Sequence, residues 1–315
     1  MDNNGNLSAR IINIAILMVL ICMNNGYSQS SEKTRSLFDG KDLRHWVMYG
    51  DDPGFEVKDG IIKSTVQNGD NLFTKEIYGN YRLTLDYFLS EVGNSGVLIR
   101  CDPADAWTSG VEVQLLAPWT PYRDDLHCTA SLYGHVAVTN RPDETTGVWH
   151  QMEIVCDRKF IRISVDGKMA TEVDIDTVES MQEKFLEGAI GLQSNHGEPS
   201  EFVHFRNITI ENFDADPEYV LKGFSDADSR VRQQAHHAAL RLGDEMIPFL
   251  IPELSSEIPE MESGARQVLF DLVAEATRPG DEKEKKKTRK MLKRNRKKVN
   301  SEMARQYLDE LLRMM

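Results

Sequence analysis

A chain of 315 residues, 40% hydrophobic and 28% charged, has room for one large or two ordinary soluble domains and can bury a substantial core. Its formal charge of −13 disfavours a general nucleic-acid binder. That total hides an asymmetry, because residues 282–298 hold eleven Lys/Arg against two Glu, a local +9 on a body that otherwise sums to −22.

The N-terminus opens with Arg10, a mostly apolar run from Ile11 to Cys22 and a polar, small-residue stretch from Asn24 to Ser31. This is the layout of a secretory signal peptide, with cleavage expected after Ser28 and export to a periplasm or beyond. The run is short for a membrane span, so none is expected in the mature chain. Ile21 before Cys22 argues against a lipoprotein anchor, since such signals usually carry a small residue there. Of the remaining cysteines, Cys101 and Cys128 lie in loop-like sequence and could pair, whereas Cys156 sits in a strand pattern and reads as a buried small hydrophobe.

From residue 36 to 212 the pattern is short strands and turns. FEVKDGIIKS reads as a hairpin about Asp59-Gly60, and FIRISVDGKMATEV as another about Asp166-Gly167, because both dipeptides tolerate the positive φ of a type I′ turn. Leu83, Leu85, Tyr87 and Leu89 alternate with Arg82, Thr84, Asp86 and Phe88, the signature of a half-buried strand. In the stretch Gly93–Leu116, Val111, Val113 and Leu115 alternate with Glu112 and Gln114, which puts a carboxylate and an amide on the face opposite the apolar one. By the same alternation Arg100 opposes Val97 and Ile99, so a cation and a carboxylate are expected on one surface. Residues 117–135 look irregular, aromatic and too polar for core. WHQMEIVCD, AIGLQ and EFVHFRNITIE are further strands, and no long amphipathic helix interrupts the series. The fold class that follows is mostly β, an antiparallel sandwich or jelly roll over 36–213.

At Asp214 the periodicity changes to helical. Asp216-Pro217 reads as an N-cap with proline at the first helical position. Val231, Ala235, Ala238 or Ala239, Leu242, Ile247, Leu250, Ile251 and Leu254 then follow at helical spacing, with Gly243 ending one helix and Pro248 early in the next. This resembles a HEAT-type repeat over 214–280, a possible protein-interaction surface, in which His236 and His237 are structural. Residues 281–315 form a charged helical tail whose basic run is a solvated face or a contact for an anionic surface or polysaccharide.

LFDGKDLRHW, F-E-V-x-D-G-x-I, LFTKEIYGNYRLTLDY, GNSGVLIR, VEVQLL, SLYG, W-H-x-M-E-I, AIGLQ followed by HG, and FRNITI occur in the order seen in the 3-keto-disaccharide hydrolase family, which this chain resembles over residues 36–211. The resemblance implies a concanavalin A-like jelly roll and cleavage of glycosidic bonds in sugars oxidised at C3. A C3 carbonyl acidifies the C2 hydrogen, so a modest base can form an enolate, the C1 substituent can leave by elimination, and water can add to the product. Such a site needs a base, a partner for the enolate oxygen and an acid for the leaving oxygen.

Against those needs, Glu112 is the first choice for acid or base, and His196, in the Q-x-H-G-like region, is the second. Ser194-Asn195 stand where the family pattern leads one to expect a single aspartate. Arg100 is the candidate enolate partner. Asn94, Gln114 and Gln193 suit sugar hydroxyls, and Trp119 and Tyr133 suit stacking on a sugar ring. Lys75 belongs to the family-like LFTKE segment without an assigned role. No cofactor is implied; no ligand run resembles a calcium loop, although a jelly roll leaves room for a divalent metal such as calcium. Nucleotide and serine-hydrolase motifs are absent from the sequence. The alternative from another class is a non-catalytic, lectin-like carbohydrate-binding module carrying a helical interaction domain.

Overall fold

The computed structural model describes residues 33–64, 69–121, 123–194 and 200–315. The expected leader at 1–28 and the candidate His196 lie outside the described residues.

Two antiparallel sheets face each other, as the alternating patterns require. The larger holds β1 (Thr34–Phe38), β3 (Phe55–Lys58), β4 (Ile61–Ser64), β6 (Tyr81–Leu89), β9 (Trp149–Asp157), β10 (Phe160–Val165), β11 (Lys168–Asp174) and β13 (Val203–Asn212). Its order is β11-β10-β9-β6-β13-β4-β3, with β1 also on β13. The smaller holds β2 (Trp46–Met48), β5 (Leu72–Thr74), β7 (Asn94–Cys101), β8 (Val111–Leu116) and β12 (Ala189–Leu192), in the order β2-β5-β12-β7-β8. Both hairpin turns carry positive φ at both central residues, 56° and 76° at Asp59-Gly60 and 50° and 74° at Asp166-Gly167. Asp and Gly adopt that conformation at low cost, and it matches the twist of the flanking strands.

The period-two pattern decides which side chains meet between the sheets. Leu83, Leu85, Tyr87, Met152, Ile154, Phe205 and Ile210 of the larger sheet are buried with Val97, Ile99, Val113, Leu115, Ile190 and Leu192 of the smaller. Each fully buried aliphatic side chain contributes about 1.5–3 kcal/mol relative to exposure. Residues 117–135 depart from the expectation of a loop outside the core. The path is irregular, but Cys128, Ala130 and Leu132 are buried, because this segment hydrogen-bonds along the free edge of β8 and so satisfies its own backbone. Cys101, Cys128 and Cys156 are all buried free thiols, so the suggested pairing of Cys101 with Cys128 does not occur.

The chain forms two compact units that divide after Ala235 rather than at 213/214. α2 (Pro217–Gly223) and the first half of α3 (Ser229–Leu242) belong with the sandwich; a short helix, α1 (Ala106–Ser109), precedes β8. The reason is packing. Val231 enters the sandwich core, Gln234 donates to the Leu186 carbonyl at 2.5 Å and accepts from Asn80 Nδ2 at 3.1 Å, and Arg230 pairs with Asp176 at 2.5 Å. Asp216 caps α2 through the Glu218 N–H, with Pro217 in the first turn, as the sequence indicates. The second unit comprises the end of α3, α4 (Ile247–Glu253), α5 (Pro259–Ala276), α6 (Glu282–Arg296) and α7 (Glu302–Met314). Ile247, Leu250, Val268, Leu269, Leu292, Leu308 and Leu311 are buried within it. Among the described residues no helix is long and apolar enough to cross a membrane.

Candidate active site

On the outer face of the smaller sheet, register places Glu112 opposite Leu98 and Gln114 opposite Gly96. Directly opposed residues share a face, so both polar side chains point away from the core, as their alternation with Val111, Val113 and Leu115 demands. They are nevertheless buried, Glu112 to 7% exposure and Gln114 to 2%. The strand that carries them is flanked on both sides. β7 pairs along one edge, and along the other Tyr133 N–H donates to the Glu112 carbonyl at 2.9 Å while Gln114 N–H donates to Ser131 at 3.0 Å.

The Glu112 carboxyl lies across Gly96. A Cβ at residue 96 would stand 2.2 Å from Glu112 Oε1 and 2.6 Å from its Cγ, so only glycine leaves the space. Beyond Gly96 comes Gln193, whose N–H donates to the Gly96 carbonyl at 2.9 Å and whose side chain hydrogen-bonds Glu112. Burial dominates the electrostatics, pushing the Glu112 pKa up to about 8 against the smaller opposing effect of the Gln193 hydrogen bond. The carboxyl is therefore protonated at neutral pH and can donate. Gln193 Oε1 is buried and has no hydrogen-bond partner among the described residues, which leaves an acceptor beside that donor. Gln114 is engaged differently: its Nε2 donates to Asn94 Oδ1 at 3.3 Å and its Oε1 accepts from Leu115 N–H at 3.3 Å, so these two amides hold each other in place. Around this pair the face turns apolar, with Phe73, Ala189 and Leu98, the residue directly opposite Glu112, in one small cluster. Gly191 repeats the device of Gly96, since a Cβ there would meet the Phe73 ring at 2.8 Å.

Tyr133 is brought to Glu112 by the same alternation. Leu132 bridges Val113 and enters the core, so Tyr133, the next residue, turns outward. Against its ring packs His127, edge-on with centroids 4.9 Å apart, and Trp107 at 6.1 Å, itself 62% exposed. His127 Nδ1 lies 2.7 Å from Asp124 Oδ1, a bond that holds the Asp124 carboxyl below its usual range. Asp124, His127 and Trp107 fall in irregular segments of the sequence with no periodicity to orient them. The only available signal was the spacing of a carboxylate three residues before a histidine, which a one-turn loop brings together.

Three further residues singled out in the sequence lie elsewhere. Arg100 does not share the surface of Glu112. It has φ 53°, and β7 is bulged against β12 at this point, so alternation breaks and the guanidinium turns away. Its Nε and Nη2 donate to the Gly79 carbonyl at 3.2 and 2.9 Å, beside Tyr81 and Cys156 of the opposite sheet. A role on the enolate oxygen is thereby withdrawn. Trp119 is 56% exposed in the loop after β8 and is not one of the rings packed on Tyr133. Lys75 donates to the Arg44 carbonyl at 2.8 Å, a scaffold contact. Among the described residues no three His, Cys, Asp or Glu side chains are grouped to hold a metal ion.

The family model described as a 3-keto-alpha-glucoside-1,2-lyase-like domain matches residues 33–211, more than half of the chain. No curated protein matches. Among solved structures, a protein of Parabacteroides distasonis ATCC 8503 provisionally assigned to the glycosyl hydrolases is 26% identical, the match covering 57% of this chain and 100% of that one at a TM-score of 0.52. A second such protein from the same organism is 22% identical over 57% of this chain and 93% of its own, at 0.49. The carbohydrate-binding module CBM66 from Bacillus subtilis is 12% identical over 53% and 96%, at 0.40.

Proposed function

The chain belongs to the 3-keto-alpha-glucoside-1,2-lyase-like family, and on that premise we propose that its sandwich cleaves the glycosidic bond of sugars or glycosides oxidised at C3. The observation that carries this reading is the buried Glu112 carboxyl, laid over Gly96 beside Gln193, where burial raises its pKa to about 8.

A proton donor without charge at pH 7 is what departure of a sugar oxygen requires, and the site supplies it where bulk water is excluded. In the proposed sequence a base removes the C2 hydrogen and the electron pair enters the C2–C3 enolate. The pair then returns to form the C1–C2 double bond, the C1–O bond breaks, and the leaving oxygen takes the Glu112 proton. Water adding at C1 of the resulting enone completes a net hydrolysis; release of the enone makes the same step a lyase reaction. The base assigned here is His127. Its Nδ1 is occupied by Asp124, which fixes the ring and leaves Nε2 for the substrate, and Tyr133 links it to the backbone of Glu112. His196 remains the competing base. Gln193 Oε1, buried and without a partner among the described residues, is assigned to accept a sugar hydroxyl.

The test is incubation with 3-keto-trehalose, 3-keto-sucrose and an aryl 3-keto-glucoside, following sugar release and enone absorbance. Wild-type protein is expected to turn over at least one of them, and Glu112→Gln to abolish turnover while still binding sugar. Loss of turnover in His127→Ala but not in His196→Ala supports the assigned base, and the reverse transfers the role. Binding without product in the wild type would sink the enzyme reading in favour of a lectin-like module. We further propose that the chain acts outside the cytoplasm, from its signal-like first 28 residues; N-terminal sequencing of the mature protein from a periplasmic or culture fraction checks this, with a start at Gln29 expected.

A further inference from the structure

The basic run has a definite geometry. It folds as α6 (Glu282–Arg296), whose buried side chains are Thr288, Leu292 and Asn295, with Thr288 Oγ1 donating to Asp244 Oδ1 at 2.7 Å. That stripe pins one side of the helix inside its own unit. At ~100° per residue, Lys283, Lys286, Lys290, Lys293, Arg294 and Lys297 fall within an arc of roughly 100° on the opposite side. At 1.5 Å rise per residue they form a ridge about 21 Å long. All six are exposed, and none has a carboxylate partner in an ion pair among the described residues; the run's other contacts use Lys287 on Glu284 and Asp244, Arg289 on the Met315 carbonyl, and Arg296 on Asp309. Six unneutralised cations held on one face repel one another, a cost that the buried stripe permits but does not relieve.

We propose that this face of α6 binds an anionic polysaccharide, a chain bearing carboxylate or sulfate groups. The inference goes beyond the cleavage reaction, and its choice among polyanions rests on the carbohydrate family to which the chain belongs. Three observations narrow the partner. Five of the six cations are lysines, compact point charges on flexible stems, standing on a convex ridge with no cradle to fix one small anion, so attraction gains strength only from a polymer that meets several at once. The cationic arc carries no apolar side chain to enter a bilayer: Leu292 is buried and Met291, half-buried, lies outside the arc. Residues 282–298 contain no aromatic side chain on which bases could stack.

The test uses the full mature chain, with heparin and polygalacturonate as the sulfated and carboxylated probes and dextran as the uncharged control. Affinity for one of the two acidic glycans is expected to fall at least about tenfold between 50 and 200 mM salt, as release of counterions from several contacts requires. Replacing Lys283, Lys286, Lys290, Lys293 and Lys297 together by Gln, a comparably good helix former, should lower affinity at least about tenfold at 50 mM salt, and replacing the same five by Arg should preserve it. Turnover of a small 3-keto-glycoside should be equal in all three proteins. Equal retention of the wild type and the Gln variant overturns the proposal. So does tighter binding to a DNA duplex, to phosphatidylglycerol vesicles or to a second copy of the chain than to either glycan. Retention on glycan with no turnover in any protein would leave this inference standing and remove the cleavage reading.

Discussion

The outer faces of the two sheets spend polar residues in opposite ways. On the larger sheet, charges meet across strands in the open: Arg162 Nε reaches Glu172 at 2.5 Å, Arg206 reaches Asp86 at 3.1 Å, and Arg82 lies between Glu153 and Glu211 at 3.3 and 2.6 Å. Water screens these pairs, and each contributes only about 0–1 kcal/mol. On the smaller sheet, among the described residues, one carboxyl is buried without a cation and an amide oxygen beside it lacks a partner, and a glycine is held open to make room. A fold has no need of that second arrangement, which costs stability wherever the carboxyl must ionise. Polar groups that are neither paired nor solvated mark the face where chemistry is expected, while well-paired ones mark scaffold.

The largest effect expected on this contrast is loss of the proton donor. Glu112→Gln keeps shape and hydrogen bonding to Gln193 but removes the transferable proton, and turnover should fall by roughly 10²–10⁴-fold. Gly96→Ala attacks the same group without touching it. The added methyl would overlap Glu112 Oε1, Cγ and Cδ, so the carboxyl must move off its floor; stability should drop by about 1–3 kcal/mol and turnover by at least tenfold. A retained structure with unchanged kinetics would show that the carboxyl's placement is incidental. Asp124→Asn should lower turnover about tenfold or more by loosening His127, with substrate binding little changed.

The pH dependence sharpens the contrast in a different observable. Because burial raises the Glu112 pKa from its ordinary carboxylate value to about 8, the folded chain holds a proton that the unfolded chain releases. Stability associated with this group is therefore full only below about pH 4.5, its ordinary carboxylate value, and is lost as pH rises through about 8, with a slope of up to about 1.4 kcal/mol per pH unit. Denaturant melts of wild type and Glu112→Gln between pH 5 and 8 should diverge with that sign, the variant gaining on the wild type as pH rises. Turnover should decline over the upper part of the same range as the donor ionises.

Much of this face was legible in the chain. Alternation alone oriented Glu112 and Gln114 away from Val111, Val113 and Leu115, and register confirms it. The same rule failed at Arg100, near the end of β7, because a bulge with φ 53° is a property of how β7 meets β12 and leaves no mark in periodicity. No local pattern marks Gly96, whose role is to be flat beneath a side chain from the next strand. The His127–Asp124–Tyr133 cluster depends on a long irregular segment closing along the edge of β8, a long-range pairing that no local pattern encodes.

The smallest effect expected lies on the larger sheet and bounds the whole contrast. Arg162 and Glu172 are direct cross-strand partners on β10 and β11, with side chains 45% and 55% exposed. Removing the cation with Arg162→Ala leaves Glu172 free to be hydrated, so no buried charge is stranded and the loss should be under about 1 kcal/mol in a urea melt, smaller still at high salt. Turnover should be unchanged, since nothing in this pair reaches the face that holds Glu112. A shift above about 1 kcal/mol, or a change in turnover beyond about twofold, would mean that the paired face is coupled to the unpaired one through the core between the sheets. The two faces would then have to be treated as a single device.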